Sequence, residues 1–299
     1  MSITKALIGP AAVILVASSN VALAADYDVQ IQQIVVSGVV ESWMGGTAYS
    51  KNSEIGEDLD NHFTSGKSGR LSLPLGSNLS AQMDFDHELN VSDFDNGDKG
   101  DTFGYSYQGV FHLTHRDPNS AAFGGFAAFG SGAADNDTYP FFAVGGEAQI
   151  YSGDKTWYLQ GGYLDSRDSA DDGDSLRDAF FVRGVGRWFM TDNSRLQGEV
   201  AFAHGTVDGN DDGNLVEWGV RYDTMLDLPI VGSSNVFVGY RGARFEADDT
   251  DPDVYMDHTF MVGTRLSFGG NSMIEFDRVG ASLDAPNFGR WVASGNIVD

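Results

Sequence analysis

"TFGYSYQGVFHLTHRD", residues 102–117, sets Phe103, Tyr105, Tyr107, Phe111 and Leu113 two residues apart or a multiple of two. Thr102, Gly104, Ser106, Gln108, His112 and Thr114 fall between them. Period two is the repeat of a β-strand, whose successive side chains point to opposite faces. The same alternation recurs from residue 33 to residue 268, and no other feature leaves so few folds open. Bounded by turn residues, the segments fall near 33–46, 68–75, 79–90, 102–116, 120–130, 139–151, 155–166, 179–190, 194–205, 214–226, 234–246 and 255–268. That predicts twelve strands and no amphipathic helix in the mature chain.

The connections alternate in length. "LGSN", "DPNS", "SGDK", "TDNS" and the somewhat longer "DLPIVGSS" are tight turns. Between them lie longer acidic stretches such as "GTAYSKNSEIGEDLDNHFTSGK" and "DSRDSADDGDSLRD". Short turns at one end and long loops at the other mark an up-and-down barrel in an outer membrane. The two faces agree. Leu196, Val200 and Phe202 oppose Arg195, Gln197 and Glu199; Val216, Trp218, Val220 and Tyr222 oppose Glu217, Arg221 and Asp223. Phe260, Val262, Leu266 and Phe268 oppose Asp257, Arg265 and Ser267. A charged face cannot line a dry core without pairing. The expected fold is therefore all-β, a transmembrane antiparallel β-barrel of about twelve strands with apolar side chains outside.

"MSITKALIGPAAVILVASSNVALA" reads as a secretory signal peptide, residues 1–24, with Lys5 ahead of a short apolar run and a small-x-small end. The barrel is expected over 25–269. Residues 270–299 form a tail that lies in the periplasm or plugs the lumen, with Phe288 and Trp291 as anchors. The chain has no cysteine, which excludes disulfides and thiolate metal sites. Its net charge of -25 disfavours nucleic acid.

"QIVVSGVVESWMGG", "SGRLSLPLGSNLSAQMDFD" and "HTFMVGTRLSF" resemble porin-type outer-membrane proteins of Gram-negative bacteria, and "FHLTHRDP" resembles a porin-like group from alphaproteobacteria. The resemblance implies outer-membrane localisation and passive diffusion of small hydrophilic solutes or ions. It also implies contact with outer-membrane lipids and lipopolysaccharide, and a homo-oligomer, a trimer in many such porins. Barrels of this kind usually end on an aromatic residue, whereas residues 269–299 follow Phe268 here.

Arg183, Arg187, Arg195, Arg221, Arg241 and Arg265 fall on the inward face of segments eight to twelve. Asp84, Asp86 and Glu88 fall inward on segment three. A basic wall facing an acidic wall sets up a transverse field that selects ions. Alternatively the arginines pair with Glu199, Glu217, Asp223 and Asp257 and narrow or close the lumen, giving a structural or adhesive barrel without conductance. "DGNDDGN" offers Asp208, Asn210 and Asp212 as the opening of a calcium loop, but Gly219 occupies the twelfth position, where a bidentate acid is expected. A lipid hydrolase would place His115 or His204 at the membrane rim; no G-x-S-x-G or H-E-x-x-H supports it. No catalytic residue and no cofactor is expected.

Overall fold

The computed structural model describes residues 35–51, 61–91, 103–134, 137–167, 175–207, 211–228, 232–247 and 254–294. Twelve strands form one closed antiparallel barrel. They are β1 (Ser37–Lys51), β2 (Asn61–Pro74), β3 (Leu79–Val91), β4 (Phe103–Asp117), β5 (Ala121–Ala134) and β6 (Asp137–Ser152). The second half is β7 (Lys155–Ser166), β8 (Arg177–Thr191), β9 (Ser194–Thr206), β10 (Asp212–Leu228), β11 (Gly232–Ala247) and β12 (Val254–Phe268). Each strand pairs with its neighbours in sequence, and β12 closes on β1 over Gly38↔Phe268 to Lys51↔Tyr255. Closure removes the unpaired edges that hydrocarbon cannot satisfy.

The outer face is apolar. Phe129, Phe180 and Phe260 stand about two-thirds exposed (67%, 67% and 66%), while Tyr139, Tyr158 and Phe245 inside are fully buried. A sheet with this exterior is stable where lipid wets it. Lys67 and His87, opposite each other on β2 and β3, interrupt the outer face. Lysine's long stem can carry its ammonium toward the headgroups.

The tight turns form where turn chemistry predicts. At β4–β5, Asn119 N–H donates to Asp117 Oδ1 (3.0 Å) and the Ser120 hydroxyl to Asp117 Oδ2 (2.9 Å). At β6–β7, Gly153 takes φ +58°, open to glycine without cost.

Two expectations need correction. β1 and β2 run into "GTAYSKNSEIGEDLDNHFTSGK", which reads as a loop. Their polar ends are strand because inward hydroxyls and amides bond one another. Thr47 Oγ1 lies 2.6 Å from Thr64 Oγ1 and 2.9 Å from Thr259 Oγ1, Thr64 donates to Asn90 Oδ1 (2.5 Å), and Asn90 donates to Tyr49 Oη. The second correction is helical: α1 (Met273–Val279) and α2 (Phe288–Ala293) follow β12.

Residues 270–294 fold back into the barrel along its whole length. α1 sits at the short-turn end, where Met273 N–H donates to Asp192 O (2.9 Å) in the β8–β9 turn. Ser272 caps α1 by accepting from Glu275 N–H (3.2 Å), and Glu275 Oε2 accepts from Asn271 N–H (2.9 Å). α2 sits nearer the long-loop end, where Leu176 N–H donates to Val292 O (3.2 Å). Its aromatic side chains fill the lumen there: the Phe288 ring lies 5.1 Å from Phe181 and 5.4 Å from Trp291.

The seat of α2 depends on Gly132. A Cβ there would stand 1.7 Å from Gly289 O, so only glycine lets the two backbones approach. Gly132→Val should unseat α2 and destabilise the folded barrel by about 1–3 kcal/mol. Urea unfolding followed by heat-modifiable gel mobility measures the loss; an unchanged midpoint would show that α2 docks elsewhere.

Candidate functional site

Alternation puts charged and amide side chains of every strand into the lumen, and the returning tail gives them partners. The tail segment 280–287 is extended and has no strand beside it. Side chains of the wall supply its hydrogen bonds. Arg116 donates to Gly280 O (2.6 Å), Gln82 to Leu283 O (2.8 Å), Gln160 and Tyr158 to Asp284 O (2.9 Å each) and Gln108 to Pro286 O (2.9 Å). Gln108 Oε1 accepts in turn from Phe288 N–H (3.0 Å). Side chains thus satisfy much of what buried peptide groups require, beside backbone bonds such as Ser282 N–H to Gly280 O (2.9 Å).

The six arginines expected on a basic wall all point inward, and all are paired. Arg183 binds Glu199 (2.6 Å) and Asp284 (2.8 Å); Arg187 binds Asp277 (2.8 Å) and Asp284 (2.7 Å). Arg195 meets Asp223 (3.1 Å), and Arg221 spans Asp223 (2.7 Å) and Glu41 (2.8 Å). Arg265 holds Glu41 (2.7 Å), and Arg241 crosses the lumen to Glu88 (2.7 Å). The Arg221 guanidinium also lies 3.5 Å over the Phe237 ring.

The three carboxylates expected opposite them also face inward, with different partners. Asp84 lies 3.3 Å from His112 Nε2 and 3.9 Å from Arg70 Nε, and accepts from Gln82 (2.6 Å). His112 Nδ1 reaches Glu147 (2.9 Å), which also accepts from the Tyr158 hydroxyl (2.6 Å). Glu88 holds Arg241, Arg290 of α2 (3.1 Å) and the Asn287 amide (3.1 Å). Asp86 accepts from Gln108, at 3.4 Å, and feels the Arg70 charge from beyond ion-pair distance, making no ion pair within 4 Å among the described residues. Glu217, named above as an arginine partner, instead accepts from Trp291 Nε1 (3.3 Å), and Asp257 binds Arg290.

Sequence reading missed Glu41, Arg70 and Glu147 on the wall, and Asp277, Asp284 and Arg290 on the tail. Glu41 and Arg265 are cross-strand neighbours, as are Arg195 and Asp223, so strand register could have found those pairs. The tail had one signal: "SMIE", Ser272 to Glu275, is the spacing of a capping box.

Among the described residues, two cavities lie beside the tail. The larger, about 180 Å³, lies between segment 284–287 and the wall carrying Trp43, Glu217 and Arg241. The smaller, about 50 Å³, lies toward the short-turn end among Arg187, Arg195, Arg265 and Asp277. Arg70, Gln197, Arg221 and Asp284 line both. The plug therefore narrows the lumen without filling it.

Asp284 stands where both cavities and two arginines meet. Burial pushes its carboxyl up, but Arg183, Arg187 and Arg70 outweigh that and hold it well below the usual carboxylate range. A carboxyl lowered in the folded state contributes stability fully present above its unfolded value of about 3.9, and loses it only as pH falls through the folded value. Tail docking should therefore not change between about pH 7 and pH 5 on account of this group. Conductance compared at the two values checks this; a large rise at the lower pH would assign the docking charge elsewhere.

The remaining candidates take other places. Asp208 and Asn210 lie outside the described residues, and Asp212 opens β10, exposed and opposite Thr206. His115 stacks on Phe123 (5.1 Å), and His204 Nδ1 lies 2.9 Å from Asn214 Oδ1. Among the described residues neither histidine hydrogen-bonds a serine hydroxyl, and the His115 ring lies near enough to Asp117 for their charges to interact.

No protein-family model matches the chain, and comparison with curated proteins finds no match. Solved structures do match. An outer-membrane channel of Pseudomonas putida F1 is similar with a TM-score of 0.52 and 11% identity, over 81% of this chain and 100% of that one. The translocator domain of the autotransporter NalP from Neisseria meningitidis aligns with a TM-score of 0.43 and 13% identity, over 77% and 87%. The outer-membrane protein OpdK from Pseudomonas aeruginosa aligns at 0.39 and 9%, over 77% and 99%. The first of these likenesses shows the fold, a closed β-barrel of the outer-membrane type.

Proposed function

We propose that the chain is an outer-membrane channel for small hydrophilic solutes or ions, narrowed by its own C-terminal segment. The observation that carries this reading is the pair of polar cavities beside the tail, lined in common by Arg70, Gln197, Arg221 and Asp284. Passive passage requires a polar route whose sites are neither too sticky nor too repulsive, and no catalytic group. Short turns then face the periplasm and long loops the exterior, and the tail enters from the periplasmic end. Lipopolysaccharide and outer-membrane phospholipid are the proposed neighbours, with a trimer as the proposed assembly. Kinship to the alphaproteobacterial porin-like group is proposed on the β4 stretch "FHLTHRDP" alone. The proposed boundaries are a signal peptide over 1–24 and a plug over 270–299.

Purified protein in a planar bilayer should give discrete, small current steps. A flat record at every voltage would instead support the second reading, a closed structural barrel. The arginine pairs that cross from wall to tail are the observation in its favour.

A further inference from the structure

Charge in the lumen is sorted along the axis rather than across it. The larger cavity is lined by six carboxylates and four inward arginines. The smaller is lined by five arginines and two carboxylates. Most of these charges neutralise one another in pairs, so the exceptions matter. In the larger cavity Asp86 and Glu217 make no ion pair among the described residues. Glu217 is only 5% exposed, yet its side chain borders open space. A buried carboxylate without a cation is costly unless something charged or polar comes to it. Arg70 stands at the junction of the two cavities with no acid in close contact. Its one ion pair among the described residues, to Asp84, spans 3.9 Å, its Nε has no hydrogen-bond partner, and Asp284, Asp86 and Glu41 act on it only from farther off. Arg70 borders both cavities, with the arginine-rich one beyond it.

We propose that the junction of the two cavities is a binding site for a small zwitterion, a solute carrying an ammonium and a carboxylate. Its ammonium meets Glu217 and Asp86 in the larger cavity, and its carboxylate meets Arg70 at the mouth of the smaller one. A simple cation satisfies only the first pair of groups and a simple anion only the second. The dipole of a zwitterion lies along the axial charge gradient and satisfies both ends. The idea rests on the channel reading only for the solute's way in.

The test is calorimetric titration of the purified full chain in detergent. Glycine and β-alanine are the zwitterionic probes; ethylammonium chloride and sodium acetate carry one charge each. The zwitterion should bind about tenfold more tightly than either single charge. Glu217→Gln should weaken glycine about tenfold and ethylammonium with it, leaving acetate unchanged. Arg70→Gln should weaken glycine and acetate and leave ethylammonium unchanged. Heat-modifiable mobility shows whether each variant folds. If one does not, the four probes on the unaltered chain still decide. Zwitterions that bind no better than acetate or ethylammonium overturn the proposal. Binding without bilayer conductance would sink the channel reading and leave the site standing. Conductance without zwitterion binding would do the reverse.

Discussion

A chain ending at Phe268 should conduct several-fold more current per channel than the full chain. The barrel wall is complete without the tail, because the β12–β1 ladder already reaches Phe268. What the shorter chain lacks is α1, α2 and the extended segment between them, all of which occupy the lumen. Removing them leaves Arg183, Arg187 and Arg241 facing water, where charge is cheap, rather than facing a void. The pore should also become more anion-selective. The tail takes with it Asp277 and Asp284, which pair with Arg187 and Arg183, and Arg290, which pairs with Glu88 and Asp257; over residues 269–299 it removes four acids and two arginines, so the balance shifts toward anions. Planar-bilayer recording with a salt gradient gives both quantities at once. Equal conductance in the two chains would mean that the tail does not obstruct the path.

Substituting Asp284 alone should loosen the plug without deleting it. Its two carboxylate oxygens meet Arg187 (2.7 Å) and Arg183 (2.8 Å), and its backbone carbonyl accepts from Tyr158 and Gln160. Asp284→Asn keeps the size and the backbone bonds but leaves two buried guanidiniums with one carboxylate fewer. Breaking a buried pair by removing one partner costs about 3–5 kcal/mol. Glu199 and Asp277 still hold the arginines, so the low end, about 3 kcal/mol, is expected here. That would raise the population of tail-released molecules about a hundredfold. Long-lived large-conductance events in single-channel records should become common, while the heat-modifiable shift of the barrel persists. A variant that neither opens nor loses stability would show that the two arginines are content with their other partners.

How much of this was readable beforehand depends on how far each contact reaches. β9 and β10 were legible residue by residue, since lipid enforces a strict period of two on their outer faces. β1 and β2 were legible only where lipid touches them. Beyond it, Thr47, Thr64 and Tyr49 stay in strand because they hydrogen-bond to one another or to Asn90 inside the barrel, with the His62 ring edge-on to Tyr49, and polar composition alone reads as loop. The inward face of the six arginines followed from alternation. Of their partners, Glu199 and Asp223 were legible as well, and Glu41 could have been found from its register opposite Arg265; the rest were not. Arg241 with Glu88 joins β11 to β3 across the lumen, and that contact depends on barrel width and on what else fills the space. The tail was hardest. Its helices are too short for periodicity, and the segment between them is held by side chains distant in sequence.

Gln82, Gln108 and Gln160 hold the tail's backbone with amide groups that water can replace one for one. A chain whose tail had left would strand none of these glutamines and break no ladder bond of the wall. The wall's own pairing thus sets no barrier to a cork drawn from its rigid neck, and the vessel would need no refolding to take it back.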